Sequence, residues 1–494
     1  MSNSKSSYQQ IFKATSIFGG VQLFNILVTI LRTKFVAVLL GPSGMGVVGL
    51  LTTTLSLMSS LTNLGLGRSA VRDISSANST NNEEKISETI SVFRKLVWMT
   101  GALGMTATII LSPLLSYFTF GNYDYTVAYM LLAATLLITQ LTVGQTVILQ
   151  GLRKISWMAK AGVYSSVVGL LTSVPLYYLY GIKGIVPAII VTAISVYIIQ
   201  EHFAKKINIR ATSISLKEAL KKGNGMIKLG LVLSVNGLIT TGASYLIRIY
   251  ISHSGNLEDV GFYTAGFAII NTYIGMVFSA MITDYYPRLA AVQNDQPKYN
   301  ILINQQIEVA IYIVAPLICG FLIFVNWVIV LIYSSKFLPI VEMIQWGILA
   351  IFFKTLGWAI GVLLAAKGHS KHLFWNEFIA NTYLLLLNIL GYYFFGLEGL
   401  GISFLIGYFL HFLQIYLFTK IKYGFVLERT VARKFLFLLV GGILCFIIIN
   451  YFQDKYAFFI GGFLVLVVSS FCFWQLNEKT EIINILRNKI KKIR

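Results

Sequence analysis

Residues 22–46, QLFNILVTILRTKFVAVLLGPSGMG, form an apolar run long enough to cross a bilayer, with an arginine inside it. Gln22, Asn25, Thr29 and Arg32 recur at helical spacing, so a helix places them on one face. A charge at membrane depth costs roughly 2.5–3.5 kcal/mol on insertion scales and therefore faces protein or water rather than lipid. A second apolar run repeats the device, with Asn236, Thr240, Ser244 and Arg248 four residues apart. Two polar stripes that each end in arginine point to a shared, positively charged cavity. Lys354 is a third candidate for its lining. It sits mid-run in IFFKTLGWAIG (351–361), with no acidic residue within a turn and little room to snorkel.

Working outward, the chain has 494 residues, 56% hydrophobic and 12% charged, with mean hydropathy +0.75. Soluble globules carry about twice that share of charge. The composition predicts an all-α polytopic membrane protein. Its apolar runs are about 20 residues or longer, whereas barrel strands need only about 10 and alternate in polarity. Cys319, Cys445 and Cys472 all lie in apolar runs without ligand spacing, and read as packing residues. The first apolar run, lacking a small-residue cleavage site, reads as a retained span.

About fourteen spans can be drawn on this basis. The loops between them alternate sharply in charge. One set holds Arg68, Arg72, Arg153, Lys154, the basic segment 205–228 and the tail to Arg494, while the other offers little beyond Lys183, Lys336 and Lys455. The positive-inside rule places the first set, and both termini, in the cytoplasm. The net charge of +20 is thereby topology information, not a nucleic-acid footprint. The outer loops are short, which speaks against an enzyme acting outside the membrane.

An internal repeat organises the whole. YYLYGIKGI at 177–185 echoes YYFFGLEGL at 392–400, an offset of 215, and Gly46 pairs with Gly261 at the same offset. Arg32 and Arg72 pair with Arg248 and Arg288 at 216. Several marks at one offset predict two pseudo-symmetric six-helix lobes, 1–222 and 223–425, followed by two extra helices and a basic tail at 426–494. Repeats of this kind are a transporter plan with substrate bound between the halves.

Among the carboxylates, Asp284, Glu308 and Glu377 lie near span ends and are candidates for a coupling-ion site. No metal spacing, Walker loop or nucleophile elbow is present, so the sequence offers neither a catalytic residue nor a metal or cofactor site.

LLGPSGMG at 39–46, NLGLGRSAVR at 63–72, QGLRK at 150–154 and DYYPRLA at 284–290 resemble the polysaccharide transport branch of the MOP superfamily. These are the Wzx-type O-antigen flippases, related to MATE drug exporters and to the lipid II flippase. The resemblance runs across essentially the whole chain. It implies a MATE-like, V-shaped pair of lobes with alternating access. The implied substrate is oligosaccharide on undecaprenyl pyrophosphate, carried to the periplasmic leaflet of a bacterial inner membrane on the way to surface polysaccharide such as lipopolysaccharide. It further implies a transporter rather than an enzyme, working as a monomer among membrane lipids and near the glycan polymerase machinery, with H+ or Na+ as the open coupling ions. Many members place an arginine just before the LGP-like turn; here that slot is Val38, and Arg32 lies six residues earlier. Two rival readings stand beside it. A MATE-like organic-cation antiporter would favour carboxylates at depth, and a polytopic glycan polymerase or acyltransferase would favour larger outer loops.

Overall fold

The computed structural model describes residues 2–207, 212–273, 275–452 and 454–480, and among these the regular elements are all helical. In chain order they are α1 (Ser2–Thr62), α2 (Leu66–Ser79), α3 (Glu83–Phe120), α4 (Thr126–Gly151), α5 (Ile155–Tyr180), α6 (Ile185–Lys205), α7 (Leu216–Lys222) and α8 (Asn224–Ser254). There follow α9 (Leu257–Phe267), α10 (Gly275–Ala291), α11 (Gln296–Ile332), α12 (Val341–Ala366), α13 (Ser370–Tyr423), α14 (Arg429–Tyr451) and α15 (Asp454–Thr480). Among the described residues, nine helical stretches are long and apolar enough to cross a membrane, or ten if the bent helix α8 is one span.

Two of these stretches, 155–205 with 51 residues and Ser370–Tyr423 with 54, far exceed the roughly 20 residues that a bilayer core needs. Each is broken near its middle by a glycine whose backbone L-residues avoid. Gly181 has φ 55° and ψ −132°, and Gly396 has φ 57° and ψ −134°. The two breaks fall in the echoing segments, 215 residues apart, and share one geometry. Around them the packing also matches. A Cβ on Gly184 would overlap the Leu176 carbonyl, and one on Gly399 would overlap the Gly391 carbonyl. Tyr177 and Tyr392 are both buried at these turns. The first helix is broken likewise at Gly41 (φ 67°), and Pro42, whose missing N–H costs nothing in a first turn, restarts it.

The chain forms two compact units. The first comprises Met1–Gly261 with Ile332–Ser334, and the second Phe262–Leu331 with Ser335–Arg494. In the first, Val36, Leu40, Val47, Leu51, Tyr129, Leu132, Tyr177 and Ile185 make one apolar cluster, and Leu66, Ile74, Phe93, Leu96 and Ile148 are among those making another. Polar side chains inside it are paired between helices: Gln140 Nε2 donates to Thr100 Oγ1 at 3.0 Å, and Tyr129 OH to Thr54 Oγ1 at 3.0 Å. In the second unit α12 is the most enclosed helix, burying residues such as Ile348, Phe352, Leu356 and Leu363.

Three local features were not visible as pattern. Residues 66–79, which carry Arg68 and Arg72 of the basic loop set, form the amphipathic helix α2, which buries Leu66, Ala70 and Ile74. The basic segment 205–228 contains the short helix α7. There the Ser215 hydroxyl accepts from the Glu218 N–H, and the Ser215 N–H donates to the Glu218 carboxylate at 3.0 Å. These bonds, the backbone one foremost, hold the Glu218 carboxyl below its usual range, and Lys222 of the same helix pairs with Glu88 at 2.5 Å. A depressed carboxylate stabilises its helix above its ordinary pKa and ceases to do so as pH falls through the lowered value. Replacing Ser215 by alanine should raise amide exchange across 215–222 about fivefold at neutral pH, and lowering the pH through the depressed Glu218 pKa should reduce the difference. Equal exchange in both proteins at neutral pH would mean that the cap is not holding the turn. Finally, the packing residues Cys319 and Cys445 come from helices far apart in sequence, α11 and α14, and are both buried.

Candidate functional site

Each unit holds a cation among neutral polar groups, and each is best built from its backbone. In the first unit, the stripe on α1 faces α5. The Ser166 hydroxyl donates to Asn25 Oδ1 at 2.8 Å, and Thr29 is bonded back to the Asn25 carbonyl at 2.7 Å. Two turns further along, Arg32 reaches α5 at Gly169; a Cβ there would come within 3.9 Å of Arg32 Nη1. Thr172 and Thr192 continue the polar line on α5 and α6, hydroxyl to hydroxyl at 3.2 Å. Arg32 is half-buried and makes no hydrogen bond or ion pair among the described residues.

Arg248, its counterpart on α8, is placed differently. It is 6% exposed, and its Nη1 folds back to donate to the Ser244 carbonyl at 2.9 Å and to the Ser244 hydroxyl. Ser244 is thus occupied in holding the arginine, while Thr240 is exposed. Gln22 and Asn236 have side chains outside those described.

In the second unit the site is centred on Lys354 of α12. Its ammonium donates to Asn271 Oδ1 at 2.6 Å and lies 4.9 Å from the Tyr408 ring centroid. Tyr408 OH, from α13, donates to the same Asn271 oxygen at 2.7 Å. Asn271 belongs to a π-helical turn, Ala268–Tyr273, that lies between α9 and α10. Such turns are rare and concentrate at functional sites. Its amide nitrogen is buried with no partner. The lysine has no carboxylate within ion-pair range among the described residues, so its charge is balanced only by dipoles and a ring face.

The three candidate coupling carboxylates separate. Asp284 pairs with Arg288 at 2.8 Å and is largely exposed. Glu308 pairs with Lys434 of α14 at 2.5 Å and accepts from Tyr312 OH at 3.0 Å, while Tyr312 also meets Gln475 of α15 at 3.1 Å. That quartet ties the last two helices to α11. Glu377, half-buried on α13, makes no ion pair or hydrogen bond through its carboxylate among the described residues. No group of three or more metal-ligating side chains is present among the described residues. Sequence reading missed Asn271, Tyr408, Ser166 and Thr192. Only the isolated asparagine in the apolar run 268–275 offered a signal, and nothing in the sequence showed that it meets a lysine 83 residues away.

Comparison with known proteins agrees with this architecture. An inward-facing multidrug resistance MATE transporter of the MOP superfamily superposes with TM-score 0.68 at 15% identity, covering 81% of this chain and 94% of that one. The lipid II flippase MurJ in an inward closed conformation gives 0.66 at 15% identity, covering 94% and 99%. A MOP transporter from Pyrococcus furiosus, described as having a binding pocket of reverse polarity, gives 0.57 at 17%, covering 83% and 93%. No curated protein matches the sequence. Residues 35–342, more than half of the chain, match the family described as polysaccharide biosynthesis protein. With that match and a helical fold shared with MATE transporters and MurJ, the chain belongs to the polysaccharide biosynthesis protein family, on the MOP superfamily fold.

Proposed function

We propose that this protein is a flippase. It carries an oligosaccharide linked to undecaprenyl pyrophosphate, an O-antigen unit or a related surface polysaccharide unit, from the cytoplasmic to the outer leaflet of the bacterial inner membrane. The observation that carries the reading is the pair of half-buried cations, Arg32 and Lys354, which among the described residues have neutral dipoles beside them and no carboxylate within ion-pair range. A pyrophosphate loses part of its hydration in crossing, and charge-assisted hydrogen bonds replace that water. Arginine offers a planar fork to phosphate oxygens, lysine a compact charge. Several cations along a path bind an anion firmly enough to admit it and loosely enough to release it. An inside-negative potential favours outward movement of an anion by about 2.3 kcal/mol per charge per 100 mV.

The family match and the likeness to MurJ support a lipid-linked glycan as substrate. The matching breaks at Gly181 and Gly396 support the duplicated architecture, with about fourteen spans in two six-helix lobes and two further helices. An organic-cation antiporter fits less well, because two of the three candidate carboxylates are already ion-paired. If the cycle is proton- or sodium-coupled, Glu377 is the carboxylate left to do it, and Glu377→Gln should then remove the dependence of export on the ion gradient. The protein acts alone as a monomer and hands its product to polymerase machinery.

Deleting the gene in its host should make the lipid-linked glycan accumulate on the cytoplasmic leaflet. Normal export from a protein with alanine at Arg32, Arg248 and Lys354 together, at equal membrane abundance, would remove the anionic-path reading. Orientation is tested by a cysteine introduced in the 205–228 segment. An impermeant thiol reagent should leave it unlabelled in intact cells, and labelling there would invert the topology.

A further inference from the structure

A second polar cavity lies wholly within the first unit, away from the α1–α5 stripe. It has a volume of about 270 Å³ and opens between α3, α4 and α6, lined among others by Arg94, Trp98, Gln145, Tyr197, Glu201 and Lys205. Its charges are unequal. Glu201 pairs with Lys205 at 2.9 Å, and its carboxylate also acts at longer range on Arg94, so the cavity keeps one net positive charge from its two cations and one carboxylate. Arg94 makes no hydrogen bond or ion pair among the described residues, and its Nε is buried without a partner. Gln145 Oε1, from the facing helix, is likewise buried and unpartnered. A guanidinium with its donors unused, in a cavity of this size, is a receptor for a small oxyanion, and phosphate matches the planar fork best. The unpartnered Gln145 oxygen is itself an acceptor, so this side chain serves a phosphate only through its NH2 group, with Oε1 turned toward Arg94.

The surroundings indicate what carries that phosphate. From Glu201 along α6, Ile198, Ile194 and Val191 follow at helical spacing and are 58%, 41% and 40% exposed. Ten residues of helix cover about 15 Å, roughly half the thickness of a bilayer core. Trp98, 54% exposed at the rim, has the amphipathic ring that favours the headgroup level. The cavity lies at the Lys205 end of α6, where the basic segment begins. We propose that this cavity is a phospholipid site: Arg94 and Gln145 hold the headgroup phosphate of an anionic membrane lipid, and an acyl chain lies along the exposed face of α6.

The test is lipid binding by the full-length protein, purified, stripped of lipid and reconstituted in nanodiscs. Native mass spectrometry would score retained phosphatidylglycerol against phosphatidylcholine, with inorganic phosphate as a competitor. Wild type should retain phosphatidylglycerol preferentially, and Arg94→Gln should weaken that retention about tenfold or more. Gln145→Leu, which keeps the arginine, should weaken it by a smaller factor, so the result does not hang on one variant that fails to fold. Unchanged retention in both variants would overturn the site. Displacement of the lipid by millimolar inorganic phosphate alone would overturn the lipid as occupant and leave a simple anion site. Because none of these readouts involves glycan export, the outcome stands apart from the flippase reading.

Discussion

Asn271→Asp should abolish glycan export while leaving the protein at normal abundance and at least as stable as wild type. The substitution is nearly isosteric and places a carboxylate oxygen where the Lys354 ammonium now meets an amide oxygen at 2.6 Å. The lysine would gain a counterion, and a buried charge relieved of its unpaired state by a well-placed partner recovers several kcal/mol of penalty. The same gain cancels the positive potential that the proposed path requires. Lys354→Met should also stop export without lowering stability, because it removes the unpaired buried charge and Asn271 Oδ1 keeps the Tyr408 hydroxyl as its donor. Loss of export in both variants, with stability kept in both, separates the charge from a scaffolding role. Export is measured by surface polysaccharide in a complemented deletion strain, and stability by the melting temperature of the detergent-solubilised protein. Asn271→Asp with normal export would show that the charge on Lys354 is not used.

Arg32 offers a second route to the same conclusion in the other unit. Lys34 and the exposed face of α1 leave open the ordinary reading of an arginine that only anchors its helix at the headgroups. Gly169→Asp places a carboxylate on the α5 position that Arg32 faces. Under the proposal it should cut export about tenfold or more, whereas an anchoring arginine would be unaffected. Normal export from Gly169→Asp at wild-type abundance would assign Arg32 to anchoring.

The sequence made the helices legible because their pattern is physical and local. Apolar runs of bilayer length, punctuated by Gly-Pro at 41–42 and by the glycines of 181 and 396, predict both the spans and their breaks, and the structure has each break at its glycine. The pairing of those breaks was legible for the same reason: a positive φ leaves glycine as the residue of choice, so a duplicated turn keeps its glycine while its neighbours drift. What could not be read was whatever depends on contact between distant segments. Arg32 and Arg248 look equivalent in sequence, each ending a polar stripe. Yet Arg248 turns back on Ser244 while Arg32 reaches toward α5. Glu308 and Glu377 look alike as well, until Lys434 arrives from 126 residues away and engages only the first. Asn271 was invisible as a partner because its role comes from a π-helical turn, which has no composition of its own.

Gly46→Ala should remove most of the folded protein from the membrane, although it adds a single methyl group in a helix where alanine is ordinarily preferred. The reason is a reciprocal backbone contact. A Cβ on Gly46 would overlap the Leu257 carbonyl oxygen, and a Cβ on Gly261 would overlap the Pro42 carbonyl oxygen. The two glycines, and likewise Pro42 and Leu257, are 215 residues apart, so the two contacts are reciprocal. Ser43 and Glu258, again separated by 215, close the junction with a hydrogen bond of 2.9 Å. Backbone on both sides leaves nothing soft to yield, unlike the flexible side chain of Met343 that faces Gly266. The cost should exceed the roughly 1–3 kcal/mol usual for an overpacked core. Gly261→Ala should do the same damage, and the double variant little more, because one separation of the helices relieves both clashes. Gly462→Ala is the control: nothing lies within 4 Å of the added carbon, and the change should be neutral or stabilise the helix by up to about 1 kcal/mol. Membrane abundance and melting temperature of the tagged proteins provide the measurement. Gly46→Ala at wild-type abundance and melting temperature would mean that these helices do not meet backbone to backbone.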